Sequence, residues 1–152
     1  MLLSVLSHHR LTRYGPLVLW ALLIFIGSSD LLSAAHTSSF LYQPLHWLFP
    51  HASEATLQLI HFVVRKAAHF SEYAVFALLL ARAFRTSSHQ MLRYHWFWTS
   101  LLLIVIYSLT DEFHQSFVPS RTASIYDSMI DSFGGLAALC IVRIRRQSEA
   151  KQ

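Results

Sequence analysis

Long apolar runs recur along this chain, and few charged residues accompany them. Of 152 residues, 54% are hydrophobic and only 13% are charged. A soluble domain of this size normally carries about 25% charged residues. The charges are too few to cover a surface that faces water, so we expect a lipid bilayer to be the solvent of this chain. At this length, residues 1–152 are expected to form one domain.

Four apolar runs are long enough to cross the membrane, at about 14–32, 64–85, 94–112 and 125–144. Lys and Arg are concentrated before the first run, between the second and third, and after the fourth. The positive-inside rule then places both termini in the cytoplasm. The prediction is an all-α, multi-pass protein of the inner (plasma) membrane, built as a four-helix bundle.

The first run, Leu17–Ile26, follows Arg10 and Arg13, and Pro16 suits a first helical turn. The segment "LLSAAH" at 31–36 allows an alternative, a cleaved signal peptide. We favour a retained helix. The proline-broken, aromatic segment 36–52 that follows is typical of a loop lying on the membrane interface.

The second helix is predicted to begin after Ser53, which suits an N-cap, with Glu54 in its first turn. Neither Pro nor Gly interrupts the sequence from there to about Arg85. Such a helix is roughly 47 Å long, whereas the hydrocarbon layer is about 30 Å thick. Its first turns must therefore stand outside the bilayer or lie along its surface.

Three of these helices place ionisable residues in the same outer half of the membrane. Counted from the basic helix ends at 1.5 Å per residue, Glu72 lies about 15 Å up, Asp131 about 18 Å and Asp111 about 27 Å. Charged groups at such depths are costly unless they face the protein interior. The sequence therefore predicts one outward-opening polar pocket, formed by three helices and the loop after the third.

Helical spacing assigns the remaining pocket residues. Arg65, His69, Glu72 and Tyr73 share one stripe of the second helix, and Asp127 and Asp131 share one stripe of the fourth. Asp111, His114 and Gln115 share a face if the third helix continues past Leu109. Glycines in "FGGLAA" at 133–138 would let helix backbones approach closely beside the pocket.

Two stretches carry a family resemblance: "RKAAHFSEYAVFALLL" at 65–80 and "DEFHQSFVPSRTASIYDSMIDSFGG" at 111–135. They resemble the VanZ-like family of small membrane proteins, with a motif core over 65–135. The resemblance implies a cell-envelope role linked to teicoplanin-type glycopeptide resistance. Asp131 departs from the family pattern, which usually has Asn there. The resemblance marks these positions: Lys66, His69, Glu72, Tyr73, Asp111, Glu112, His114, Gln115, Pro119, Arg121, Asp127 and Gly134.

Several interpretations of the polar residues remain open. In the first, they bind a lipid-linked or lipoglycopeptide anion, and Arg65, Lys66 and Arg121 clamp its phosphate or carboxylate. In the second, they are interhelical ion pairs that hold the bundle together. The expected ligand-binding set is Arg65, Lys66, His69, Glu72, Tyr73, Asp111, Glu112, His114, Gln115, Arg121, Asp127 and Asp131.

A third interpretation is acid–base catalysis by a membrane hydrolase or transferase. The candidates are His69 or His114, oriented by Glu72 or Asp111, but no nucleophile motif is recognisable. A metal site is the weakest option because cationic residues adjoin the histidines. No cofactor is expected. The basic residues flank apolar runs, so the partner expected is the lipid bilayer and not nucleic acid.

Overall fold

The computed structural model describes residues 2–30, 43–121 and 123–151, with side chains described from residue 10 onward. The described residues contain helices and turns but no strand. The predicted all-α class is therefore confirmed. A short helical segment covers 43–48. The other helices are α1 (Leu2–Gly27), α2 (Glu54–Arg85), α3 (Gln90–Tyr94), α4 (Trp96–Gln115) and α5 (Ile125–Glu149).

Two helical stretches in the described part of the chain are long and apolar enough to cross a membrane, Arg10–Gly27 and Ile125–Glu149. Helices α2 and α4 carry ionisable residues, among them Glu72 and Asp111, which lower their mean hydropathy. Large apolar side chains lie exposed on the outside of the protein, including Leu19, Leu102 and Ile141. Exposed apolar surface of this extent fits contact with lipid and supports membrane association.

Both ends of α2 lie where the sequence places them. The Ser53 backbone is extended (φ −68°, ψ 155°), and its Oγ accepts a hydrogen bond from the Thr56 backbone N–H at 3.3 Å. The helix then runs without interruption to Arg85, and the Thr86 backbone N–H closes its last turn. The predicted N-cap and the predicted length are confirmed.

Helix α1 differs from its prediction at both ends. It begins at Leu2, so Pro16 lies inside the helix and not in its first turn. Proline has no N–H to donate to the carbonyl four residues earlier. Arg82 Nη2 donates to that oxygen, the Thr12 carbonyl, at 3.3 Å. The helix ends at Gly27 and does not continue to residue 32.

Residues 31–42 lie outside the described residues. They include the possible cleavage site at 31–36 and the first part of the segment predicted as an interfacial loop. Within 43–52 the chain forms the short helix at 43–48, so this part is not a loop. The Trp47 side chain is 85% exposed there, as expected for an aromatic residue at a membrane interface.

Helices α2, α4 and α5 pack around a common core, and α5 lies closest to α2. A Cβ added to Gly134 would lie 2.2 Å from the Phe70 backbone oxygen, and one added to Gly135 would lie 2.8 Å from Ile104 Cγ2. The glycines therefore permit the close helix approach that the sequence predicts. The side chains buried in this core include Tyr73, Ala77, Leu80, Ile104 and Leu139.

Candidate functional site

Two pairs of a basic and an acidic residue lie between α2 and α5 at one end of the molecule. The Lys66 ammonium contacts Asp127 Oδ1 directly. One turn further along both helices, His69 Nδ1 lies 3.5 Å from Asp131 Oδ1. We call this end, with Arg65, Asp111, Glu112 and Arg121, the polar end.

The position of Asp131 follows from the glycine contact. Gly134 lies three residues after Asp131 on α5 and touches the backbone of Phe70, the residue after His69. This contact leaves no room for lipid or water between the helices, and Asp131 is fully buried. Within the described residues its carboxylate accepts no hydrogen bond. The imidazole of His69, with Nδ1 at 3.5 Å from Oδ1, is a possible donor to it.

Helix α4 contributes two adjacent buried acids, Asp111 and Glu112, which are 4% and 6% exposed. Asp111 Oδ2 accepts a hydrogen bond from Gln115 Nε2 at 3.1 Å, one turn along the helix. Glu112 Oε2 accepts one from the Ser124 backbone N–H at 2.6 Å. Ser124 is the N-cap residue of α5, so Glu112 fixes the start of that helix.

Arg121 binds the end of α1. Its Nη2 donates to the Gly27 carbonyl and, at 3.3 Å, to the Ser29 carbonyl, while its Nε donates to Ser29 at 3.4 Å. Carbonyls at a helix C-terminus lack intrahelical donors, so a cation there is stabilising. Burial, with a contribution from nearby Arg65, lowers the pKa of Arg121 from its ordinary value. A guanidinium nevertheless stays charged at neutral pH.

The polar end contains two neighbouring cavities, of about 520 Å³ and about 160 Å³. Both are lined by Arg65, His69 and Arg121. The larger one also reaches Lys66 and Asp127, and the smaller one reaches Glu72. The larger cavity is also lined by aromatic and aliphatic side chains, namely Phe62, Tyr126 and Ile130.

Arg65 differs from the other cations of the polar end. Lys66 is paired with Asp127, and Arg121 is bonded to the end of α1. Arg65 makes no hydrogen bond or ion pair with the residues that the structure describes. Its guanidinium therefore remains available at the wall of both cavities.

Several other candidate residues do not line either cavity. Tyr73 is fully buried, and its ring packs against Phe76 and Tyr107 with centroid distances of 6.2 and 6.3 Å. The His114 ring stacks on Phe25 at 4.3 Å. Asp111, Glu112 and Asp131 likewise do not belong to the cavity lining. Ligand binding by any of these residues stays a prediction.

The catalytic hypothesis had His69 or His114 oriented by Glu72 or Asp111. The carboxylate in contact with His69 is instead Asp131, from another helix. Sequence reasoning also missed Tyr126 and Ile130, although they adjoin Asp127 and Asp131 and lie one turn apart on α5. Among the described residues, no three His, Cys, Asp or Glu side chains are grouped so that they could hold a metal ion.

A family model described as VanZ/LLP1 matches residues 14–146. The chain belongs to the VanZ/LLP1 family. The match includes both motif stretches, so the resemblance noted from 65–80 and 111–135 is confirmed. No curated protein and no solved structure matches the chain.

Proposed function

We propose that this VanZ-family protein binds the anionic group of a lipid-linked or amphiphilic molecule at the outer face of the plasma membrane. In this proposal four helices cross the membrane, both termini are cytoplasmic, and the polar end faces outward. The distribution of Lys and Arg along the sequence supports that orientation. The whole chain acts as one VanZ-like membrane domain.

The observation that carries the proposal is the guanidinium of Arg65, which has no hydrogen bond or ion pair to any residue that the structure describes. A guanidinium presents a planar set of donors that binds phosphate or carboxylate bidentately. In a partly buried position it lacks full hydration, so an anion from the ligand would supply the missing partner. Its place at the wall of both cavities gives such an anion room to reach it.

The cavity wall also suits the apolar part of such a ligand. Phe62, Tyr126 and Ile130 line the larger cavity beside the charged residues. Ligand sites commonly combine apolar walls with a few placed polar groups, at volumes of roughly 300–1,000 Å³. An amphiphile can therefore place its anion at Arg65 and its apolar portion against these three side chains. Teicoplanin-type lipoglycopeptides combine both properties, which fits the role suggested by the family resemblance.

The test compares an anionic and a neutral amphiphile on the purified full-length protein. Dodecyl phosphate should bind the wild type more tightly than dodecyl maltoside, and Arg65→Gln should lower the preference, whereas Arg65→Lys should retain more of it. Arg145→Gln removes the same charge on α5, outside the cavities described, and is the matched control. Unchanged preference in a well-folded Arg65→Gln protein would disprove the proposal.

A structural role is the alternative, and specific contacts favour it. The Lys66–Asp127 pair joins α2 to α5. Arg121 donates a hydrogen bond to the end of α1. Single substitutions of His69, Glu72, Asp111 and Arg121 separate the two roles when membrane abundance and teicoplanin susceptibility are measured together. In a purely structural protein, activity falls only as abundance falls.

A membrane hydrolase or transferase is the second alternative. It is favoured by one contact, since His69 lines both cavities and has the buried Asp131 carboxylate beside it. A carboxylate in that position can orient an imidazole as a general base. His69→Gln would then abolish turnover of an ester- or phosphate-bearing amphiphile while leaving its binding intact. Loss of binding without any turnover in the wild type would favour the binding role.

A further inference from the structure

The end of the molecule opposite the polar end contains another cavity, and its lining is strongly basic. It measures about 470 Å³ and is lined by Arg82, Arg85, Thr86, Arg93 and Arg146. We call these four arginines the basic end. They come from α2, α3 and α5, and no acidic residue among those described lines this cavity. The positive-inside rule requires basic residues near helix ends but does not require them to surround one cavity.

The arginines of the basic end keep their positive charge uncompensated. The Arg85 guanidinium lies 5.7 Å from the centroid of the Trp96 ring, and Arg82 donates to the Thr12 carbonyl. Neither contact neutralises a charge. The guanidinium groups of Arg93 and Arg146 have no hydrogen bond or ion pair within the described part of the chain. Glu149 influences Arg85 electrostatically, but a single acid leaves a large positive excess.

An aromatic cavity adjoins the basic one. It measures about 360 Å³, shares Arg146 with the basic cavity, and is lined by Tyr94, Trp96, Phe97 and Trp98. Tyr and Trp side chains favour the zone between the headgroups and the acyl chains of a bilayer. The two cavities together therefore present cations beside an aromatic wall at the level of the membrane surface.

We propose that the basic end binds the headgroup phosphate of an anionic phospholipid, whose glycerol and upper acyl chains lie against this aromatic wall. Arginine forks bind phosphate oxygens bidentately, and basic pockets between membrane helices suit such headgroups. The inference does not depend on the proposed function, because the basic end shares no residue with the polar end. Arg65→Gln should accordingly leave this lipid site unchanged.

Tryptophans in the aromatic wall serve as fluorescent probes of lipid binding. Trp20→Phe and Trp47→Phe leave Trp96 and Trp98 as the tryptophans of the chain, both in the lining. Their fluorescence is followed while brominated phosphatidylglycerol or brominated phosphatidylcholine is titrated into the full-length protein in bilayer nanodiscs. We expect quenching at a lower fraction of the anionic lipid than of the zwitterionic one.

Arg93→Gln combined with Arg146→Gln tests whether the cavity is responsible. Each arginine near an anionic surface contributes a factor of about five in affinity, so the pair should lower the apparent affinity for phosphatidylglycerol, read from half-quenching, about 25-fold. Arg10→Gln combined with Arg145→Gln removes the same charge at the same end but outside the cavity lining, and should change it much less. Equal loss in both pairs would overturn the proposal in favour of a diffuse positive surface.

Inorganic phosphate in large excess distinguishes a lipid headgroup from a soluble anion, with chloride at the same ionic strength as the control for screening. If the site is built for a lipid, phosphate should reduce quenching no more than chloride does. Selective displacement of the brominated lipid by phosphate would overturn the assignment to a phospholipid.

Discussion

The two ends of the molecule differ in the sign and the burial of their charged side chains. At the polar end, acids and bases from different helices are partly or fully buried, and they pair with each other, as in the partly buried Lys66–Asp127 pair. At the basic end, charges of one sign lie mostly exposed around a cavity. A buried charge requires a partner because desolvation is costly, whereas an exposed charge is stabilised by water. The polar end should therefore govern stability, and the basic end should affect it little.

The largest effect is expected from Gly134→Ala, at the closest contact between α2 and α5. Its Cβ would overlap the Phe70 backbone oxygen, which cannot move without shifting the helix, so we expect a loss of about 3 kcal/mol or more in the free energy of unfolding. Gly135→Ala is the matched control, because it meets the side chain of Ile104 and no backbone atom, and should cost less, about 1–2 kcal/mol. Denaturant unfolding in detergent, followed by circular dichroism, measures both. Equal costs would contradict this account of the helix contact.

An intermediate effect is expected at the ion pair itself. Lys66 and Asp127 are only 25% and 15% exposed, so a double-mutant cycle with Lys66→Met and Asp127→Asn should give a coupling energy of about 1 kcal/mol. The same cycle with Arg65→Met in place of Lys66→Met should give a coupling near zero, because Arg65 does not contact Asp127. A large coupling for Arg65 would show that it is paired and would weaken the proposed function.

The smallest effect is expected at the basic end. Arg93→Gln and Arg146→Gln each remove an exposed side chain, so each should change the free energy of unfolding by less than about 0.5 kcal/mol. The same denaturation assay measures this, without added anionic lipid. A destabilisation as large as that of breaking the Lys66–Asp127 pair would mean that these arginines hold the helices together, and the contrast between the two ends would disappear.

Elements set by local sequence were predictable. Ser53 and the absence of Pro and Gly before Arg85 identified α2, since capping and helix continuity depend on neighbouring residues. The end of α1 was not predictable, because its carbonyls at Gly27 and Ser29 are bound by Arg121, more than ninety residues away. The place of Pro16 in α1 was mispredicted for the same reason. Arg82 of α2 donates to the Thr12 carbonyl, in place of the N–H that proline lacks.

The polar residues show the same division between local and long-range information. Helical spacing indicated that Arg65, His69 and Glu72 share one face of α2, and all three line a cavity. It could not show which acid contacts His69, because that depends on the register between α2 and α5, which Gly134 sets. The contact between His69 and Asp131 therefore could not be predicted, and the orienting role of Glu72 or Asp111 stays a prediction.

Helix α1 is attached partly through its own backbone, in addition to the packing of side chains such as Ile24 and Trp20. Its carbonyls at Thr12, Ala21 and Gly27 accept hydrogen bonds from Arg82, Tyr107 and Arg121. A carbonyl is present whatever residue occupies the position. We therefore expect substitutions of the outward side chains of α1 to be tolerated better than substitutions of the three donors that bind its backbone.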